Sequence, residues 1–125
     1  NEARSAEVAV RLLDDLRLPV DITDTVTRLI PATRHTGPPA APDEALIMDI
    51  DLAILGADPP RYRAYASAIR TEYAWVPEQT FRKKRREFLL TLLQRRTIYY
   101  TPPCQTRFEQ SARNNITEEI ADLAR

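Results

Sequence analysis

Residues 48–56 read Met-Asp-Ile-Asp-Leu-Ala-Ile-Leu-Gly and place two carboxylates, Asp49 and Asp51, in a stretch that is otherwise apolar. An ionised carboxylate inside a protein needs a metal, a cation or hydrogen-bond donors to compensate it. Because residues two apart lie on nearly opposite sides of a helix, only one of the two can face the core squarely. Asp51 has Ile47, Ile54 and Leu55 at helical spacing, which predicts that Asp51 points inward and leaves Asp49 as the second candidate.

Two interpretations of an inward carboxylate stay open. It can bind a divalent metal, or an arginine from a neighbouring helix can neutralise it in a purely structural ion pair. Arg85 shares a helix face with Phe81 and Leu89 and is the first candidate for an inward arginine that pairs with a buried acid. The basic run around it, Arg82–Arg86, is more typical of a solvated helix surface than of a phosphate-binding site.

His35 is the only histidine, and it falls at the end of a predicted helix, before the loop that leads to Asp51. Imidazole is a common metal ligand and acid–base group near neutral pH. A solvated histidine that complements a helix dipole is the simpler alternative. A kink at Pro31 is expected to bring His35 to the same side as Asp51. One histidine and one or two carboxylates do not complete a catalytic metal site, which takes three or more protein ligands.

The composition of the chain limits the classes of function that it can have. The 125 residues predict one helical domain, residues 1–125, with 18 basic and 18 acidic side chains. This balance gives no electrostatic argument for a nucleic-acid or membrane partner, and no apolar run approaches the roughly 20 residues of a membrane span. The lone Cys104 excludes an internal disulfide and a cysteine-based zinc site, so the cytoplasm is the expected compartment.

Six helices are predicted to position these residues, giving an all-α fold, a compact bundle without a sheet. Prolines cluster where the helices should begin or end, and Gly56 is predicted to end the third helix as a left-handed residue. Apolar stripes predict the helices at about 2–17, 21–35, 43–56, 59–74, 78–96 and 105–124.

Several motifs spread over the chain carry a family resemblance. They are Asn1-Glu2-x-x-Ser5-Ala6, Ile30-x-Ala32-Thr33-Arg34-His35, Asp49-x-Asp51-Leu52-Ala53-Ile54-Leu55-Gly56, Arg61-Tyr62, Tyr65, Ile69-Arg70-x-Glu72-Tyr73, Val76-Pro77, Phe81 and Arg85. Together they resemble the small metal-dependent phosphohydrolases of the HD-domain superfamily. The resemblance implies an HD-domain-like helical fold whose metal is held by a histidine, a His-Asp doublet and a distant aspartate.

The resemblance also implies roles for individual residues. Asp51 matches the distant metal-binding aspartate, and Asp49 is the neighbour that could be confused with it. His35 matches a histidine that contacts the substrate phosphate or a second metal. Arg34 and Glu2 match positions near the cleft, and Arg34 would offset the charge of the phosphate.

The chain departs from the family pattern because the first histidine and the His-Asp doublet have no counterpart in it. We therefore expect the C-terminal portion of such a domain, with the missing ligands upstream of Asn1. The expected function is hydrolysis of a phosphate ester or nucleotide with a divalent metal such as Mn, Mg or Fe. Residues 1–125 alone are expected to bind that metal weakly. The alternative is a non-catalytic helical module that pairs with itself or with another protein, in which an arginine such as Arg70 or Arg85 neutralises Asp51.

Overall fold

The computed structural model describes residues 2–15, 20–35 and 37–125, and the side chains of these except at 12–15 and 20–23. These residues form six α-helices and no strand, so the all-α prediction is confirmed for this part of the chain. The α-helices are α1 Glu2–Asp15, α2 Val20–Ala32, α3 Pro42–Asp51, α4 Pro59–Glu72, α5 Glu78–Gln94 and α6 Pro102–Leu123. None of these helices has the length and apolarity that crossing a membrane requires.

The chain divides into two compact units, Asn1–Asp51 and Leu52–Arg125. In the first unit, α2 contacts both α1 and α3. Arg28 of α2 donates hydrogen bonds to both carboxylate oxygens of Asp43 and also contacts Glu44 at 3.2 Å, in the first turn of α3. The hydrogen bonds from Arg28 hold the pKa of Asp43 below its usual value. This ion cluster ties α2 to the start of α3.

The second unit has a continuous hydrophobic core between the short 3-10 turn Ala53–Gly56 and helices α4 to α6. Its buried members are Leu52, Leu55, Tyr62, Leu89, Leu92, Ile98, Tyr99, Ala112 and Ile116. Carbonyl groups around the turn accept hydrogen bonds from buried side chains. The Tyr99 hydroxyl donates to the Leu52 carbonyl at 2.8 Å, and the Asn115 amide donates to the carbonyls of Leu55 and Ala57 at 2.9 and 2.8 Å.

A carboxylate of α6 holds the irregular segment between α5 and α6. The backbone N–H of Ile98 donates to both oxygens of Glu109 at 3.0 Å, and that of Tyr99 donates to one of them at 3.2 Å. Arg113 binds the same carboxylate at 2.8 Å. Because Ile98 and Tyr99 are fully buried, Glu109 satisfies two backbone donors that water cannot reach.

Gly56 does not have the predicted left-handed conformation, since neither glycine of the chain, both of which the structure describes, has a positive φ. Its small size serves close packing instead. A Cβ atom at Gly56 would lie 2.6 Å from the Cβ of Phe108 in α6. The absence of a side chain lets α6 approach the turn.

Two helix boundaries also differ from the prediction. The third helix ends at Asp51 and the 3-10 turn replaces its predicted last turn. The sixth begins at Pro102 rather than near residue 105, with Thr101 as N-cap. Proline suits the first helical positions because the N–H that it lacks would have no intrahelical partner there.

Candidate functional site

The two carboxylates of α3 differ in burial, but not in the predicted sense. Asp49 is completely buried, whereas the side chain of Asp51 is 47% exposed. The prediction that Asp51 points into the core is therefore wrong, and Asp49 is the inward acid. The reason lies in the end of α3 at Asp51: Ile54 and Leu55 belong to a 3-10 turn, so their spacing from Asp51 does not define a face of α3.

His35 and Asp51 lie together, as predicted. The His35 Nε2 is 2.7 Å from Oδ2 of Asp51, and the His35 side chain is only 8% exposed. Because a carboxylate accepts hydrogen bonds, Nε2 carries the proton in this pair. The other ring nitrogen, Nδ1, is buried and has no hydrogen-bond partner among the residues that the structure describes. Such an orphan atom is uncommon in folded proteins and calls for a functional or structural reason.

The backbone at His35 explains how the pair is positioned. Successive i to i−3 hydrogen bonds from Thr33, Arg34 and His35 tighten the chain at the end of α2. His35 then has φ = 55°, in the left-handed region that residues other than glycine seldom enter. The end of α2 thus turns the imidazole toward the last residue of α3, at the cost of a strained backbone angle.

Arg34 and Glu2, the other two predicted site residues, also face each other. The Arg34 Nε lies 3.9 Å from a carboxylate oxygen of Glu2, and both side chains are 42% exposed. A contact of this length and exposure contributes little stability. It brings the start of α1 and the end of α2 together and leaves the guanidinium able to take another anion.

These residues do not by themselves make a metal centre. No group of three or more His, Cys, Asp or Glu side chains in the described part of the chain lies close enough to hold a metal ion. The buried Nδ1 of His35 offers one potential ligand atom. The other ring nitrogen, Nε2, is already engaged in the hydrogen bond to Asp51. Asp51 and His35 therefore do not fit the complete site that the resemblance implies.

The predicted inward arginine is confirmed in the second unit. Arg85 is 8% exposed, and its Nε donates to Glu119 of α6 at 2.7 Å. The hydroxyl of the buried Tyr62 donates to the other oxygen of Glu119 at 2.7 Å. Burial and this hydrogen bond raise the pKa of Tyr62 above its usual value. Glu119 was not foreseen as the partner, although its helical spacing from Ile116 and Leu123 on the apolar stripe of α6 was a usable signal for an inward acid.

Comparison of the chain with protein-family models, with curated proteins and with solved structures gives no match. The likeness to the HD-domain superfamily rests on the sequence motifs alone. What the site does must follow from its own geometry.

Proposed function

We propose that this chain provides a carboxylate–imidazole pair, Asp51 and His35, to an enzyme that hydrolyses phosphate esters. The observation that carries the proposal is the 2.7 Å hydrogen bond from a nearly buried imidazole to a half-exposed carboxylate. A charged group that water can reach, oriented by a group that water cannot reach, is the usual construction of an acid–base site.

Asp51 is the member of the pair that meets the substrate. His35 is the hydrogen-bond partner of its Oδ2 among the described residues, which leaves Oδ1 to accept a proton from water. His35 fixes the direction of the carboxylate, and this orientation lowers the entropy that is lost when water and phosphate align. His35 is accordingly a positioning residue in this proposal.

Arg34 supplies the positive charge. Arg34 precedes His35 in the chain, and its guanidinium Nε lies 3.9 Å from a carboxylate oxygen of Glu2. A phosphate group presents oxygens that match the guanidinium fork, so it can displace this long contact. The divalent metal that the resemblance implies needs more ligands than the described residues bring together, and no step is assigned to it.

The test is hydrolysis of p-nitrophenyl phosphate by the whole chain in buffer with millimolar Mn²⁺. Asp51→Asn keeps the size of the side chain and removes the base, so kcat is expected to fall about 100-fold. His35→Asn is the matched positioning variant because asparagine tolerates the left-handed backbone; it should lower kcat less than Asp51→Asn and shift the pH profile. Asp58→Asn, an exposed aspartate outside the site, is the control.

Three results would contradict the proposal: no hydrolysis by the native chain, unchanged kcat in Asp51→Asn, or an equal loss in Asp58→Asn. Thermal unfolding of each variant, followed by circular dichroism, separates a lost base from a lost fold.

A second candidate, self-association without catalysis, is favoured by one observation on α3. Leu46 and Ile50, one turn apart, are 49% and 56% exposed. Neighbouring exposed apolar side chains on a helix are typical of protein–protein contacts. Sedimentation equilibrium tests it, since Ile50→Lys should dissociate an oligomer and Gln79→Lys, on an exposed site of α5, should not.

This alternative predicted that an arginine pairs with Asp51, and that prediction is wrong. Arg70 binds Glu78 at 2.9 Å, Arg85 binds Glu119, and Asp51 binds His35. The argument for self-association therefore rests on the exposed apolar side chains of α3 and not on an arginine contact of Asp51.

A further inference from the structure

A cavity of about 300 Å³ lies between α4, α5 and α6 in the second unit. This volume is at the small end of the range for ligand pockets, and a groove between helices is a common place for them. The cavity is separate in sequence from the His35–Asp51 pair and goes beyond the proposed hydrolase activity. Its walls are apolar where Ala66, Phe81 and Leu123 line it.

The polar groups at the inner end of the cavity are already engaged. The Tyr62 hydroxyl donates to Glu119 at 2.7 Å, and the amide nitrogen of Asn115 donates to two backbone carbonyls. Arg85, which does not line the cavity, forms an ion pair with Glu119 and neutralises its charge. An occupant therefore finds few free hydrogen-bond donors inside, and the inner part of the cavity suits an apolar group.

Arginines and carboxylates both surround the cavity, and its lining alone holds three arginines and four carboxylates. The lining and its ion partners hold five arginines and four carboxylates, namely Arg63, Arg70, Arg82, Arg85, Arg125, Glu78, Glu118, Glu119 and Asp122. Arg70 and Arg82 share the single carboxylate of Glu78. One positive charge is therefore unmatched within this group.

Arg63 is the group best placed to take an anion. It lines the cavity, is exposed, and has no hydrogen bond or ion pair among the described residues. Glu118 is the acidic residue of the lining that likewise has no partner in the described part of the chain. Arg63 would attract a bound anion and Glu118 would repel it, whereas a bound cation would be attracted by Glu118 and repelled by Arg63.

We propose that this cavity binds a small organic anion. Its apolar body would lie between Ala66, Phe81 and Leu123, and its carboxylate or phosphate would bind Arg63 at the rim. The apolar walls determine which shape of apolar group can bind, and the unmatched arginine charge favours a negatively charged head group.

The experiment is an NMR titration of the whole chain with three probes that share one ring system: 1-naphthoate, the non-hydrolysable phosphate analogue 1-naphthylphosphonate and the uncharged 1-naphthalenemethanol. Either anion, or both, is expected to shift the signals of α4, α5 and α6 and to bind at least about fivefold more tightly than the alcohol. Whichever of the two anions binds more tightly identifies the head group.

Variants that remove one charge at the rim test whether the bound head group is negatively charged. Arg63→Gln should weaken anion binding about fivefold, and Glu118→Gln should strengthen it about twofold. Arg61→Gln is the matched control because Arg61 is exposed on the same helix, has no partner among the described residues and does not line the cavity.

A variant with a larger side chain in the cavity tests where the apolar part of the probe binds. Ala66→Leu fills the cavity and should abolish binding, whereas Ala64→Leu, on an exposed site of α4, should leave it unchanged. Equal affinity for the alcohol and both anions overturns the proposal, as does no saturable shift with any probe. Equal effects of Arg63→Gln and Arg61→Gln, or weaker anion binding in Glu118→Gln, overturn it as well.

Discussion

Gly56 lies against Phe108 so closely that a Cβ atom added to the glycine would be 2.6 Å from the Cβ of the phenylalanine. The neighbouring atoms include the backbone Cα of Phe108 at 3.0 Å, so a side-chain rotation cannot relieve the contact. Helix α6 and the 3-10 turn are therefore in contact only because residue 56 has no side chain.

Gly56→Ala is expected to lower the free energy of unfolding by about 1–3 kcal/mol through overpacking. Gly37→Ala is the matched control, because nothing lies within 4 Å of its Cβ position and neither glycine has a positive φ. The control should be neutral or gain about 0.4–1 kcal/mol by restricting the unfolded chain. Urea unfolding measures both, and equal effects would refute the packing argument.

Removal of Arg85 alone is expected to lower the free energy of unfolding by about 3–5 kcal/mol, because it leaves the carboxylate of Glu119 buried without its cation. The side chains of Arg85 and Glu119 are 7% and 11% exposed. The double variant Arg85→Met/Glu119→Met should be more stable than Arg85→Met. Urea unfolding of the two variants decides it. A double variant less stable than the single one would show that the charge is not the cause.

Glu109→Ala is expected to free the backbone N–H groups of Ile98 and Tyr99, which no longer have an acceptor. Hydrogen exchange of these two amides should accelerate by at least about tenfold, since each lost hydrogen bond is worth roughly 0.5–1.5 kcal/mol or more in a buried setting. Glu87→Ala, on the exposed side of α5, is the control. Unchanged exchange in Glu109→Ala would mean that backbone packing alone protects the segment.

The pKa of Glu78 is expected to lie below its usual value in the folded protein. The hydrogen bond from Arg82 is the main cause, burial opposes it, and Arg70 adds a smaller effect. A lowered carboxyl pKa contributes stability above the unfolded pKa, and that contribution is lost as the pH falls through the folded pKa. A carbon-detected NMR titration of Glu78 reports it directly. Arg82→Gln should raise the midpoint, and Arg86→Gln, one turn further along α5, should not.

The sequence predicted the helices well because each is delimited by strong local signals. Pro59 begins α4 as predicted, because the N–H that proline lacks has no intrahelical partner there. Pro102 begins α6 for the same reason, although the predicted start was near residue 105. The inward position of Arg85 was likewise readable, since it shares a face with Leu89. These features depend on local geometry and so can be read from neighbouring residues.

The predictions that failed concerned features that depend on tertiary structure or on the change from an α-helix to a 3-10 turn. Asp51 was assigned to the core on a spacing that ends where α3 becomes a 3-10 turn. Glu119 could not be paired with Arg85 in advance because the two are 34 residues apart in the chain. The position of His35 on the same side as Asp51 was predicted, but their hydrogen bond and the left-handed angle at His35 were not.

The turn Ala53–Gly56 has a consequence for synthesis on the ribosome. The Asn115 amide that binds the carbonyl of Leu55 comes 60 residues later in the chain. At about 5–20 residues per second, the nascent turn waits roughly 3–12 seconds for that partner. During this interval Leu55 has no core to enter, and its carbonyl can bind only water. The second unit therefore completes its fold only after Asn115 has been synthesised, and its first residues are the natural ones for a chaperone to cover.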